Sequence, residues 1–257
     1  MNRVSSVVER DGARRRCAAA VFVWLPLALF VTSNGAWSTA QVRIPSNIAW
    51  TQATLEAASN GDPFRGLLLA RRCDHCHGSE GFSSDPSIPN LASMDRLTIW
   101  KQLDDFRSDL RTSLPMRAIA SELSSQDSAD LGAYYSMLPI YPDPEDKRAF
   151  PQDSPVAANV AVAARLVSLG DGLRGIPPCQ ACHGPVGYVR GAPSLATQNG
   201  VYIRSQLEGF AGGLRTNDIN MPMRSIAKRL TEEERQALAD YYGAGLGMLP
   251  AGATQPK

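Results

Sequence analysis

The sequence predicts a mostly α-helical fold built as two tandem halves. Three observations predict it. A string of short motifs recurs at an offset of 104 to 107 residues, apolar residues recur at helical spacing in both copies, and no strand-period run is present. The repeat is organised around Cys73-Asp74-His75-Cys76-His77 and its second copy, Cys179-Gln180-Ala181-Cys182-His183.

Residues 1–40 read as an export signal. Arg14-Arg15-Arg16 forms a positive n-region, Cys17 to Val31 is an apolar run of h-region length, and Ser38-Thr39-Ala40 offers small residues for cleavage after Ala40. The rival is an uncleaved anchor, disfavoured because the run contains Pro26 and is shorter than the roughly 20 residues that a spanning helix needs. The three arginines also suggest the twin-arginine route, over which the general secretory path is the favoured reading. Export places the cysteine pairs in an oxidising, periplasm-like compartment. The net charge of the whole chain is +1, and 1–40 carries five arginines against Glu9 and Asp11, so the remainder is mildly acidic. Nothing there suggests a nucleic-acid partner.

Residues 41–61 are polar, rich in small residues and without clear periodicity, which predicts an irregular lead-in. The first domain, 62–138, opens with a helix: Asp62 suits the N-cap, Pro63 the first helical position, and Phe64, Leu67, Leu68 and Leu69 mark one face up to Arg72. That helix delivers Cys73. A Gly-, Ser- and Pro-rich loop spans Gly78 to Asn90, and a second helix is predicted from Met94 to about Leu110 around Leu97, Trp100, Leu103 and Phe106. A third starts at Ser124-Ser125-Gln126-Asp127, which resembles a capping box, and ends near Met137. Five prolines among charged residues make 139–155 a linker.

The second domain, 156–257, repeats this order. A helix is predicted over about Asn159 to Leu169, a Gly- and Pro-rich loop follows Cys179, and another helix runs from about Asn199 to Phe210. The last helix opens at Thr231-Glu232-Glu233-Glu234, again a capping box pattern. Pro89-Asn90-Leu91-Ala92 matches Pro193-Ser194-Leu195-Ala196, Leu110-Arg111-Thr112 matches Leu214-Arg215-Thr216, and Met116-Arg117-Ala118-Ile119-Ala120 matches Met223-Arg224-Ser225-Ile226-Ala227. Tyr134-Tyr135 matches Tyr241-Tyr242.

Two cysteines separated by two residues and followed by histidine can form two thioethers to the vinyl groups of a haem, with the histidine reaching the iron. The sequence therefore predicts two covalently attached haem c groups, held by Cys73 and Cys76 and by Cys179 and Cys182, with His77 and His183 as proximal iron ligands. Of five cysteines the remaining one, Cys17, lies in the export segment, so no thiol is left for a disulfide framework or a catalytic nucleophile. A zinc ribbon uses closer pairs without a histidine fixed behind each, and a thioredoxin-type dithiol needs alternating strands and helices. Neither pattern is present.

The chain has three histidines, and His75 sits between thioether cysteines, which excludes bis-histidine ligation. Methionine sulfur is the ligand left, and it raises the reduction potential relative to a second imidazole. Met116 and Met223 hold equivalent places, 39 and 40 residues after His77 and His183, on predicted loops before each last helix. Most methionines are core gap-fillers, and Met94, Met137 and Met248 keep that reading. Met221-Pro222-Met223 offers two sulfurs, and the match of Met116-Arg117 to Met223-Arg224 favours Met223 over Met221. Pro89 and Pro193 offer either simple turn chemistry or carbonyl acceptors for the proximal imidazoles. Arg111 and Arg215 are candidates for haem propionates or for the solvated surface.

These motifs over residues 62–249 resemble the dihaem cytochrome c4 family. The resemblance implies two class I cytochrome c domains, each wrapped around one covalent haem, with the haems close together. It further implies electron carriage in the periplasm, toward a terminal oxidase or reductase. Implied partners are redox proteins, a donor dehydrogenase or quinol-oxidising complex and an acceptor, with peripheral membrane association through a partner. The alternative is the dihaem subunit of a dehydrogenase complex of the flavocytochrome sulfide dehydrogenase or alcohol dehydrogenase type. A dihaem peroxidase needs an exchangeable or histidine-switched iron, which the histidine count argues against. No catalytic residue is expected.

Overall fold

The structure is a computed structural model that describes residues 50–139, 157–184, 189–245 and 247. The export segment 1–40, all but the first residue of the linker 139–155, and Met248 lie outside the described residues. The first half comprises α1 (Gln52–Ser59), α2 (Pro63–Ala70), α3 (Asp74–His77), α4 (Arg96–Arg107), α5 (Leu114–Ser121) and α6 (Ser125–Met137). The second comprises α7 (Ala157–Ser168), a 3-10 turn (Gly172–Arg174), α8 (Gln180–His183), α9 (Gly200–Ala211), α10 (Pro222–Arg229) and α11 (Glu232–Gly243). No strand occurs among the described residues.

The chain starts its helices where its side chains can accept the orphan N–H groups of a first turn. Asp62 accepts from the Phe64 N–H ahead of Pro63, and Asp95 accepts from Leu97 and Thr98. Ser124 with Asp127, and Thr231 with Glu234, form complete capping boxes at the equivalent helices α6 and α11. Two predicted loops are instead helices. The stretches holding Met116 and Met223 fold as the eight-residue α5 and α10, each with a proline in its first turn, where no N–H partner is needed. Part of the lead-in, expected to be irregular, is α1, capped by Thr51.

Each half has its own core. Ile99, Leu103 and Phe106 of α4 pack with Leu131 and Tyr135 of α6. Ile203, Leu207 and Phe210 of α9, 104 residues on, pack with Leu238 and Tyr242 of α11. Helix α1 has no counterpart among the described residues of the second half; its Ala58 packs with Trp100 and Ala129, joined by Trp50 and Leu97. Trp100 is buried as expected and donates its indole N–H to Ser125 Oγ at 3.1 Å.

The helix crossings are close enough to require glycine. A Cβ on Gly66 of α2 would lie 2.1 Å from the Asp130 carbonyl oxygen on α6. Gly66→Ala is therefore expected to force α2 from α6 and destabilise the holoprotein by about 1–3 kcal/mol, measured by urea unfolding. At the α4–α6 crossing the glycine is Gly132 on α6, where a Cβ would lie 2.8 Å from the Arg96 carbonyl oxygen. At the matching α9–α11 crossing it is Gly200 on α9, where a Cβ would lie 2.6 Å from the Ala239 carbonyl oxygen.

Candidate functional site

Helices α3 and α8 are single turns that present the two cysteine–histidine motifs. Cys73 O accepts from the Cys76 and His77 N–H groups at 3.1 and 2.9 Å, and Cys179 O accepts from Cys182 and His183 at 3.2 and 2.9 Å. The turn thereby sets both cysteines and the histidine on one short element, the arrangement that two thioethers and one iron bond require. None of these four cysteines is paired in a disulfide among the described residues, and His75 is exposed, away from the buried His77.

Both motif histidines, His77 and His183, are buried and oriented from behind. His77 Nδ1 lies 2.8 Å from the Pro89 carbonyl oxygen, and His183 Nδ1 lies 2.7 Å from that of Pro193. With Nδ1–H donating to a carbonyl, Nε2 carries the free lone pair. Burial holds both imidazoles below the usual histidine range, only partly opposed by these carbonyls, so each stays in the neutral form that binds metal. Of the two sequence readings of Pro89 and Pro193, the acceptor role is the one observed.

Met116 is half-buried against the first core together with Cys73, Leu91 and Tyr134. Met223 is half-buried against the second core with Cys179, Leu195 and Tyr241, the same company at equivalent positions. The arginine after each methionine ties its helix back to the preceding turn: Arg117 pairs with Asp109 at 2.8 Å, and Arg224 with Asp218 at 2.6 Å. Met221 occupies a left-handed backbone position and is 54% exposed. Its repeat equivalent is Leu114, 80% exposed.

The halves meet in a polar cluster that sequence reasoning missed. Arg111 donates to Gln102 Oε1 at 2.7 Å, to the Tyr202 hydroxyl at 2.7 Å and to Gln206 Oε1 at 3.0 Å. Arg215 donates to Gln206 Oε1 at 2.7 Å, Gln102 Oε1 at 3.1 Å and Asn217 Oδ1 at 2.9 Å. The cluster keeps the symmetry of the repeat, since Gln102 and Gln206 each accept from both arginines. Each guanidinium also covers an equivalent phenylalanine, Arg111 over Phe106 at 4.6 Å and Arg215 over Phe210 at 4.5 Å. Nearby, buried Lys101 pairs with buried Asp105 and donates to the Asn217 carbonyl at 2.6 Å across the same boundary.

Several features fit a haem in each half. At equivalent places, the buried hydroxyl of Tyr242 has no hydrogen-bond partner among the described residues, and that of Tyr135 has none there but the Cys73 thiol, which a thioether would remove. Burial raises both, and the first cysteine of each motif, Cys73 or Cys179, adds to the rise, so each phenol lies beside its attachment site. The hydrogen bonds of Arg111 and Arg215 described above all end on neutral oxygens. Burial and the facing Arg111 push Arg215 well below the usual arginine range. Burial opposes Tyr202 ionisation, but the two guanidiniums outweigh it and lower the phenol. Such a site favours carboxylates, which is the chemistry of haem propionates.

No protein-family model matches the sequence. The chain is 37% identical over 186 residues to the thiosulfate dehydrogenase electron acceptor of Stutzerimonas stutzeri, covering 71% of this chain and 82% of that protein. It is 36% identical over 189 residues to cytochrome c4 of Thiocapsa roseopersicina, covering 70% and 91% respectively. The structure is similar to that of reduced cytochrome c4 from Pseudomonas stutzeri, with a TM-score of 0.62 and 32% identity, covering 72% of this chain and 98% of that one. Repeated haem motifs, two helical cores and these relatives agree: the chain belongs to the cytochrome c4 family, dihaem electron-transfer proteins carrying two covalent haem c groups.

Proposed function

We propose that this chain is a periplasmic electron carrier with two His/Met irons, His77 with Met116 in domain 62–138 and His183 with Met223 in domain 156–257. It passes electrons toward a terminal oxidase or reductase, after export and cleavage behind Ala40. The observation that carries this reading is the matched placement of the four ligand side chains. Each buried histidine is held by a proline carbonyl, and each half-buried methionine packs against the same core as the first cysteine of its own motif.

The haems supply one-electron exchange between Fe(II) and Fe(III). The protein's part is to hold both sides of each iron. Pro89 and Pro193 fix the imidazoles. The ion pairs of Arg117 and Arg224 fix the starts of α5 and α10, so the methionine sulfurs change position little between redox states. Arg111 and Arg215 would hold the haem propionates, and their positive charge would disfavour Fe(III) and raise the potential. Met221 is left out because it and its equivalent Leu114 both face solvent.

A second reading is favoured by the 37% identical relative named an electron acceptor of thiosulfate dehydrogenase. On that reading the donor is a thiosulfate-oxidising dehydrogenase, and contact with a membrane arises only through a partner. Both readings require two haems per chain. Covalent haem analysis of the natively purified protein is expected to give two, and one or none overturns both. Size measurement of the same preparation separates them: a stable dehydrogenase subunit in the complex rejects the free carrier.

A further inference from the structure

One peptide group joins the first proximal histidine to the opposite half of the molecule. The carbonyl of the Pro89–Asn90 peptide accepts from His77 Nδ1 at 2.8 Å, while the N–H of that same peptide donates to Gln198 Oε1 at 3.1 Å. The Gln198 side chain closes the pair from its other end, donating Nε2–H to the Asn90 carbonyl at 2.6 Å. Asn90 and Gln198 are 7% and 3% exposed, so water does not compete for these groups. Asn90 is held further by its own side chain, which accepts from the Ser83 N–H at 2.8 Å and donates to the Thr197 carbonyl at 2.5 Å. Neighbouring bonds keep the two loops in register: Asn199 Nδ2 donates to Ile88 O at 3.0 Å, and the Tyr202 N–H donates to Pro86 O at 3.1 Å.

From this chain of bonds we infer that Gln198, in the second half, is a positioning residue for the axial imidazole of the first haem. The inference rests on His77 being that haem's ligand. The path runs from Gln198 Oε1 to the Asn90 N–H, through the amide to the Pro89 oxygen, and on to the His77 Nδ1–H. An amide is a resonance-coupled dipole. An acceptor on its N–H draws density toward its oxygen, so bonds at the two ends strengthen each other. A stronger acceptor behind Nδ1 makes the imidazole a better donor to iron, which favours Fe(III) and lowers the potential. Gln198 therefore holds the first haem's potential down, and does so only while the two halves are docked.

Gln198→Leu removes both arms of the contact at nearly the same size, and Gln198→Glu keeps an acceptor for the Asn90 N–H. In a redox titration of the holoprotein, Gln198→Leu is expected to raise the lower or upper midpoint belonging to the first haem, leaving the other in place. The shift corresponds to roughly a threefold to tenfold change in the reduction equilibrium, the worth of one hydrogen bond, the upper end being about 59 mV for one electron. The assignment is read from the hyperfine-shifted His77 Nδ1–H proton resonance of the ferric protein, expected to move in Gln198→Leu while that of His183 does not. Gln198→Glu is expected to leave the first potential at or below its original value. Two attached haems with both midpoints and both Nδ1–H resonances unchanged in Gln198→Leu overturn the inference, as does an equal rise at both haems. Loss of the haems from the unsubstituted protein instead overturns the dihaem reading. Should Gln198→Leu fail to fold, a rise in the first haem's potential in Gln198→Glu overturns the inference by itself.

Discussion

Met223→Leu is expected to abolish the methionine-to-ferric-iron charge-transfer absorption of the second haem, and Met116→Leu that of the first. Each is expected to lower the affected potential by on the order of 0.1–0.3 V, within the roughly 0.8 V that axial ligands span. Thioether sulfur is a soft, neutral ligand that prefers Fe(II), so its loss favours the oxidised state. Met221→Leu is expected to change neither band. Its side chain faces solvent from a left-handed backbone position, and the equivalent place in the first half already holds leucine, at Leu114. Visible spectra of the three oxidised variants decide the matter: loss of a band in Met221→Leu with retention in Met223→Leu transfers the ligand to Met221.

Asp105→Ala is expected to destabilise the holoprotein by about 3–5 kcal/mol, the second large effect. Lys101 and Asp105 are 3% and 0% exposed, and Asp105 also accepts from Asn217 Nδ2 at 2.6 Å across the boundary between the halves. Removing the carboxylate leaves the lysine charge buried beside Arg111 and Arg215, both of which already lower it. Burial is the largest influence on Lys101 and opposes its charge, with Asp105 the principal group restoring it. Lys101→Met combined with Asp105→Leu is expected to cost much less than Asp105→Ala, because no unpaired charge remains. Urea unfolding of the single and double variants completes the cycle. A cost below about 1 kcal/mol for Asp105→Ala would show that water reaches Lys101 and that the pair is not a buried one.

How far the sequence foretold this molecule depended on the range of the interactions. Local chemistry was legible. Asp62-Pro63, Ser124 with Asp127, and Thr231 with Glu234 each announced a helix start that the structure contains. Helix α1 was not legible, because it is short, polar and buries only Ala58, so its periodicity is weak. Helices α5 and α10 look like loops in the sequence, since each is only eight residues long with a proline in its first turn; packing against the cores makes them helical. The motif histidines and cysteines were plain from spacing alone, whereas the Gln102, Gln206, Arg111 and Arg215 cluster joins residues some hundred positions apart. The recurrence of Leu-Arg-Thr hinted at it without showing that the two arginines share acceptors.

The exchange of the crossing glycine between partners, Gly132 on α6 but Gly200 on α9, limits how this molecule can be recombined. A graft of α11 in place of α6 would set the Ala239 methyl against the Arg96 backbone, where even a bare Cβ has only 2.8 Å. The reciprocal graft of α6 in place of α11 would put Ser136 where Gly243 stands, and a Cβ there lies 3.0 Å from the Gly200 Cα. The smallest unit that can be transplanted intact is therefore the helix pair, and the two copies have drifted into mutually incompatible solutions of one packing problem.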